Sequence, residues 1–201
     1  MKKSTIIILV SIAAFLFFAV VFPIGFGISR YNRLVTLEET VNSQWGNVES
    51  QYQRRADLIP NLVATVKGYA THESSTLEGV MAARAKATQI NIDPKNLTPA
   101  KLQEYQAAQG QIGSALGKLM MITENYPNLK ANENFLELQA QLEGTENRIS
   151  VERGRFNEMA KEFNLTIRRF PTSIVAGMTG FQKKPYFEAE KAAANAPAVK
   201  F

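Results

Sequence analysis

The stretch NFLELQAQLEGTENRISVERGRFNEMAKEFNLTIRRF (134–170) carries an apolar side chain at every seventh position: Phe135, Leu142, Ile149, Phe156, Phe163 and Phe170. Leu138, Met159 and Ile167 fill neighbouring positions of the same stripe. A strand would alternate every second residue, so only a helix gathers this set onto one face, in the heptad manner of a coiled coil. About forty residues rising about 1.5 Å each predict a rod on the order of 60 Å. Thr145 and Glu152 interrupt the stripe, and LEGTENRIS (142–150) is its most polar segment. A rod with such a seam needs partners, and the flanking sequence supplies them.

Between Ser4 and Ser29 there is no charged residue, and most positions are Ile, Val, Phe, Ala or Leu. About twenty apolar residues cross a bilayer as a helix, which predicts an N-terminal membrane anchor. A cleaved signal peptide would have a shorter core of about 7–15 residues and a small-residue cleavage site. The run ends instead in FPIGFGISRYNRL, where Pro23, Gly25 and Gly27 are expected to bend the exit. Lys2 and Lys3 on one side nearly balance Arg30 and Arg33 on the other. Our reading puts the N-terminus in the cytoplasm and the remainder outside a bacterial inner membrane.

Past the anchor, Leu34, Val41 and Val48 recur at seven, with Leu37, Trp45 and Tyr52 beside them. Proline disfavours helix for the residue before it, so a break is expected near Ile59 in RRADLIPNLV (54–63). Leu62, Val66, Tyr69, Leu77, Val80 and Met81 then predict a second helix running to about Thr88. NIDPKNLTP (91–99) reads as a loop whose Thr98-Pro99 starts the next helix. Leu102, Tyr105, Gln109, Ile112, Leu116 and Leu119 give a third helix, closed by ENYPNLKAN (124–132). The fourth is the opening stretch, stopped at RRFP (168–171). The predicted fold is all-α: one transmembrane helix (1–29), an up-and-down antiparallel four-helix bundle (30–176), and a docked strap with a tail (177–201).

Eight of the twelve glycines (Gly46, Gly68, Gly79, Gly110, Gly113, Gly117, Gly144 and Gly154) fall inside these helices. Each costs roughly 0.8–1 kcal/mol relative to alanine, which calls for a compensating contact. Gly110, Gly113 and Gly117 share one face. Tight packing of a neighbouring helix is the first expectation, and a groove for a partner helix the alternative.

Composition removes many chemistries. The chain of 201 residues has no cysteine and one histidine, His72. Disulfides, thiolate catalysis and cysteine-rich zinc sites are excluded, and a di-iron bundle lacks its second Glu-x-x-His pair. No phosphate-cradling loop, HExxH or GxSxG occurs. No enzyme and no cofactor is expected. The net charge of +5, two of it from Lys2 and Lys3, is too mild for nucleic acid.

Three polar constellations remain. Arg54, Arg55 and Asp57 at the expected first turn, with Glu124, Asn125 and Tyr126 at the third, would share the end of the bundle far from the membrane and form a partner surface. Local capping is the plainer reading of both. Glu146, Asn147 and Arg148 lie mid-helix, to fix register or to reach another subunit. Arg30, Arg33, Arg168, Arg169, Lys183 and Lys184 would collect at the lipid surface, where each basic residue is worth about 1 kcal/mol towards anionic headgroups. That cluster would suit the cytoplasmic leaflet, which pulls against the orientation above.

The motifs YNRLVTLEETVNSQW (31–45), RRADLIPNLVATVKGYATHE (54–73), ENYPNLKAN (124–132), LEGTENRIS (142–150) and KPYFEA (184–189), in this order, resemble the LemA family of bacterial membrane proteins. The resemblance covers almost everything from Tyr31 to Glu188. It implies a single N-terminal membrane helix followed by a four-helix bundle, and it implies little about activity; one related member is associated with building magnetosome membranes. The function expected is a membrane-anchored, self-associating scaffold, with other membrane proteins or anionic lipid as further partners. A lipid-binding module acting through the basic end is the alternative, and an enzyme of unrecognised type the third reading.

Overall fold

The computed structural model describes residues 3–188, which are helical or irregular, with no strand among them. The apolar run forms α1 (Lys3–Leu16), a wider π-helical turn at Phe17–Val21 and the beginning of α2 (Phe22–Lys67). The wide turn sits just ahead of Pro23, and the Phe22 N–H donates to Phe17 O, five residues back. Membrane helices accommodate proline in this way, by local π adjustment of the carbonyls it leaves free. Among the described residues this is the one helical run long and apolar enough to cross a bilayer. α3 (Ser74–Thr88), α4 (Pro99–Thr123), the short α5 (Pro127–Lys130), α6 (Glu133–Arg168) and α7 (Thr172–Thr179) follow.

The expected break near Ile59 does not occur. α2 runs through Pro60 to Lys67, and the turn falls at residues 68–73, inside the predicted second helix. A proline N–H is missing at the position that would bond the carbonyl four residues earlier, that of Ala56. Arg84 of α3 replaces it: its Nε donates to Ala56 O at 2.6 Å. The helix therefore survives its proline because a side chain from a neighbouring helix satisfies the orphaned acceptor.

The helix start expected at Thr98-Pro99 holds, and two further caps join it. Thr98 Oγ1 accepts from the Lys101 N–H at 3.3 Å and Pro99 opens α4. Asp93 caps the 3-10 turn at Pro94–Asn96, accepting from Lys95 N at 3.0 Å and Asn96 Nδ2 at 2.6 Å. Those two bonds hold its carboxyl below the usual range. Asn132 Oδ1 caps α6 by accepting from Phe135 N at 3.0 Å.

The chain divides into two compact units, one drawn from Met1–Val41 and Lys161–Lys183, the other from Asn42–Ala160 and Lys184–Phe201. In the second unit Ile59 and Leu62 of α2, Leu77 and Val80 of α3, Ile112 and Leu119 of α4, Leu129 of α5 and Phe135 and Leu142 of α6 make one buried cluster. An aromatic cluster adjoins it. Trp45 meets Tyr105 and Phe156 and stacks on Phe187, centroids 5.8 Å apart at 6°. Asn157 clamps the Phe187 backbone, Oδ1 accepting from its N–H at 2.8 Å and Nδ2 donating to its carbonyl at 2.9 Å. In the first unit Phe181 packs on Tyr31 and Phe163, and Gly180, at φ 78°, reverses the chain after α7. Residues 189–201 of the expected strap and tail lie outside the described residues.

Five members of the α6 stripe, from Phe135 to Phe163, are buried. Phe170 is not; it is 82% exposed. α6 ends at Arg168, so the heptad geometry has lapsed before Phe170 is reached. The two polar interruptions are satisfied. Thr145 Oγ1 donates to Gln141 O at 2.7 Å, and Glu152 accepts from Gln44 of α2 at 2.7 Å and from Arg155 at 2.8 Å.

Arg84→Met should lower the unfolding free energy of the detergent-solubilised chain by about 1–3 kcal/mol, the cost of an unsatisfied buried acceptor. In Pro60→Ala, which restores the backbone donor, the same substitution should cost well under half as much. Equilibrium urea unfolding followed by circular dichroism checks both.

Candidate functional site

Apolar residues at three- and four-residue spacing turn Tyr52, Ala56 and Ile59 inward on α2. Arg55 goes in with them and is only 4% exposed. A buried guanidinium is costly unless it is paired and hydrogen-bonded. Its Nη1 pairs with Glu146 Oε1 of α6, and its Nη2 donates to Gln109 Oε1 at 2.7 Å and Gln109 O at 3.1 Å on α4. The Tyr52 ring lies 5.2 Å from Cζ. One side chain thus ties α2, α4 and α6 together. Nearby, burial first, and then Tyr52 and Glu49, push the Tyr105 phenol far above its ordinary range, so it stays protonated.

Arg55 also forms part of the wall of a groove of about 600 Å³ between α4 and α6. Gly110, Gly113 and Gly117 line it with Leu116 and Met120, facing Gln139, Leu142, Glu143 and Glu146. A Cβ added at any of the three glycines would meet nothing within 4 Å. Among the described residues, nothing packs tightly on this glycine face.

The predicted site residues separate. Arg54 and Asp57 are exposed mid-helix on α2, Asp57 accepting from Gln53 at 2.8 Å. Because α2 continues past Pro60, these two and Arg55 do not lie at a turn, and the combined surface with Glu124, Asn125 and Tyr126 is not formed as expected. Glu124 pairs with Lys130 at 2.6 Å and Asn125 is exposed. The Tyr126 hydroxyl donates to Glu73 at 3.1 Å, and burial followed by that carboxylate raises its pKa. With Asn132 Nδ2 donating to Tyr69 Oη at 3.0 Å, this joins the 124–132 turn to the 68–73 turn. Of the mid-helix trio, Glu146 holds Arg55, while Asn147 and Arg148 are exposed.

Of the basic set, Arg33, Arg168, Arg169 and Lys183 are exposed, and Arg30 lies over the Phe26 ring at 4.6 Å. Lys184 departs from it. It is buried in the second unit, its Nζ donating to Pro94 O at 3.2 Å and Lys95 O at 3.4 Å, so it hooks the C-terminal segment onto the α3–α4 connection and does not reach headgroups. Gln109 is the site residue that the sequence reading passed over. Its signal was present, as the one polar side chain within an otherwise apolar α4 stripe.

Glu146→Ala should destabilise the chain by about 2 kcal/mol, because it strands a buried guanidinium, whereas Arg55→Met should cost less. A double-mutant cycle by urea unfolding should return a coupling of about 1–3 kcal/mol. Gly113→Ala should raise stability by nearly 1 kcal/mol, since its methyl meets open space and helix propensity improves; a loss in the same assay would restore the tight-packing reading.

Comparison with known proteins gives concordant matches. The chain is 30% identical over 187 residues to the magnetosome protein MamQ 2 of Paramagnetospirillum magneticum, covering 85% of this chain and 68% of that one. It is 31% identical over 187 residues to the magnetosome protein MamQ of Magnetospirillum gryphiswaldense, with the same coverage. It is 25% identical over 164 residues to protein LemA of Metamycoplasma hominis, covering 82% and 71%. The LemA family profile matches residues 44–201. The motifs, the all-helical fold and these matches agree, and the chain belongs to the LemA family.

Proposed function

We propose that this protein is a membrane-anchored, non-enzymatic scaffold, in which α2, α3, α4 and α6 form an up-and-down bundle and copies associate through the groove between α4 and α6. The observation that carries this reading is the open glycine face. Three helical glycines each cost roughly 0.8–1 kcal/mol relative to alanine, and among the described residues nothing lies within 4 Å of where their Cβ atoms would be. A helix of a second copy laid into the groove would use the close backbone approach that glycine permits. Anchoring in one plane favours such contacts by raising effective concentration. The relatives named as magnetosome proteins support a setting at a membrane. Arg55 and Glu146 act here as a brace that keeps α4 and α6 at fixed spacing, so the groove is held open before a partner arrives.

The absence of native cysteine makes the test direct. Ser114→Cys, in the groove, should give a discrete dimer with a bifunctional maleimide in native membranes, and Gly113→Leu in the same chain should weaken that band several-fold. Monomer alone at Ser114, or a dimer indifferent to Gly113→Leu, would overturn association through this face.

A further inference from the structure

α7 has an outer face that its own unit leaves uncovered. Ile174 is 55% exposed and Met178 83%, four residues apart and so on one side of the helix, and Phe170 in the turn just before it is 82% exposed. The opposite side is buried through Thr172 and Ala176. Pro171, Ile174, Val175 and Met178 also share an apolar recess of about 520 Å³ with Pro23, Ile24, Phe26, Gly27, Ile28 and Tyr31, at the end of the charge-free helix in the same unit. Large side chains this exposed on a short amphipathic helix ordinarily mark an interaction surface.

Charge identifies what covers it. No acidic residue occurs between Glu162 and Glu188. Arg168 and Arg169 precede the uncharged segment 170–182 and Lys183 follows it, all three exposed. Apolar side chains flanked by cations match the acyl and phosphate layers of a lipid leaflet, and the patch is continuous with a helix that is itself apolar enough to span. We propose that α7 is an interfacial helix, lying in the bilayer surface with Phe170, Ile174 and Met178 among the acyl chains and Arg168, Arg169 and Lys183 at the headgroups. Helices of this kind sit about 5–10 Å into the headgroup–acyl boundary. The membrane would then hold the chain at two points, the second about 140 residues after the first. This inference rests on the apolar run as a membrane helix and is independent of self-association through the α4–α6 groove.

The full chain, reconstituted in phosphatidylcholine–phosphatidylglycerol vesicles, tests it with single cysteines carrying an environment-sensitive fluorophore. Met178→Cys and Ile174→Cys should emit at shorter wavelength than the exposed α2 position Ser50→Cys, and nitroxide placed on the acyl chains should quench them several-fold more strongly. Quenching of the α7 labels by aqueous iodide to the same extent as Ser50 would overturn the proposal. So would protection from both iodide and lipid nitroxide, which would assign the face to protein. Val10→Cys controls for the anchor: lipid quenching there but not on α7 overturns only the interfacial helix, and its loss at Val10 as well overturns the spanning reading with it.

Discussion

Burial of the α6 stripe is the constraint on which the second unit depends. Phe135, Leu142, Ile149 and Phe156 cannot remain in water along one side of a helix without forfeiting roughly 1.5–3 kcal/mol apiece, so other helices must cover them. Phe135 and Leu142 enter the cluster built from α2, α3, α4 and α5, and Phe156 enters the aromatic cluster around Trp45. The stack of Phe187 on Trp45 then draws the segment after α7 onto the same seam. Asn157 fixes the register of that segment through two backbone hydrogen bonds, a specificity that apolar contact alone does not provide.

Covering such long stripes brings polar groups inside, and several of them find partners from distant parts of the chain. Arg84 completes the turn that Pro60 opens in α2. Arg55 spans from α2 to Gln109 and Glu146. Gln44 reaches Glu152, and Lys184 caps the carbonyls of Pro94 and Lys95. These contacts are directional and act between elements distant in the chain, unlike the apolar contacts of the stripe.

The two surfaces proposed for binding differ in chemistry, and so do the partners each would suit. The α4–α6 groove combines open glycine backbone with Arg55 and two glutamates, which suits a folded partner of mixed polarity. The α7 face is apolar and flanked by cations, which suits lipid. On the two proposals together, this LemA-family chain would present one surface to proteins and another to the membrane.

The heptad spacing, the charge-free run and the cap at Thr98-Pro99 were legible in the residues alone, because each is a local rule about neighbours within a few turns. They determined an all-helical chain with one N-terminal run long and apolar enough to cross a bilayer. What only the tertiary structure decided depends on residues far apart in sequence. Pro60 reads as a helix end until Arg84 is seen to replace its missing donor, and Arg55 reads as a surface charge until Gln109 and Glu146 are brought around it. Gly110, Gly113 and Gly117 suggested close packing, yet the neighbouring helix leaves them open. Lys184 reads as a membrane-facing cation until its carbonyl partners appear. A sequence encodes the propensity of each turn, but the satisfaction of a buried donor or acceptor is a property of the pair, and the second member is known only when the fold has placed it.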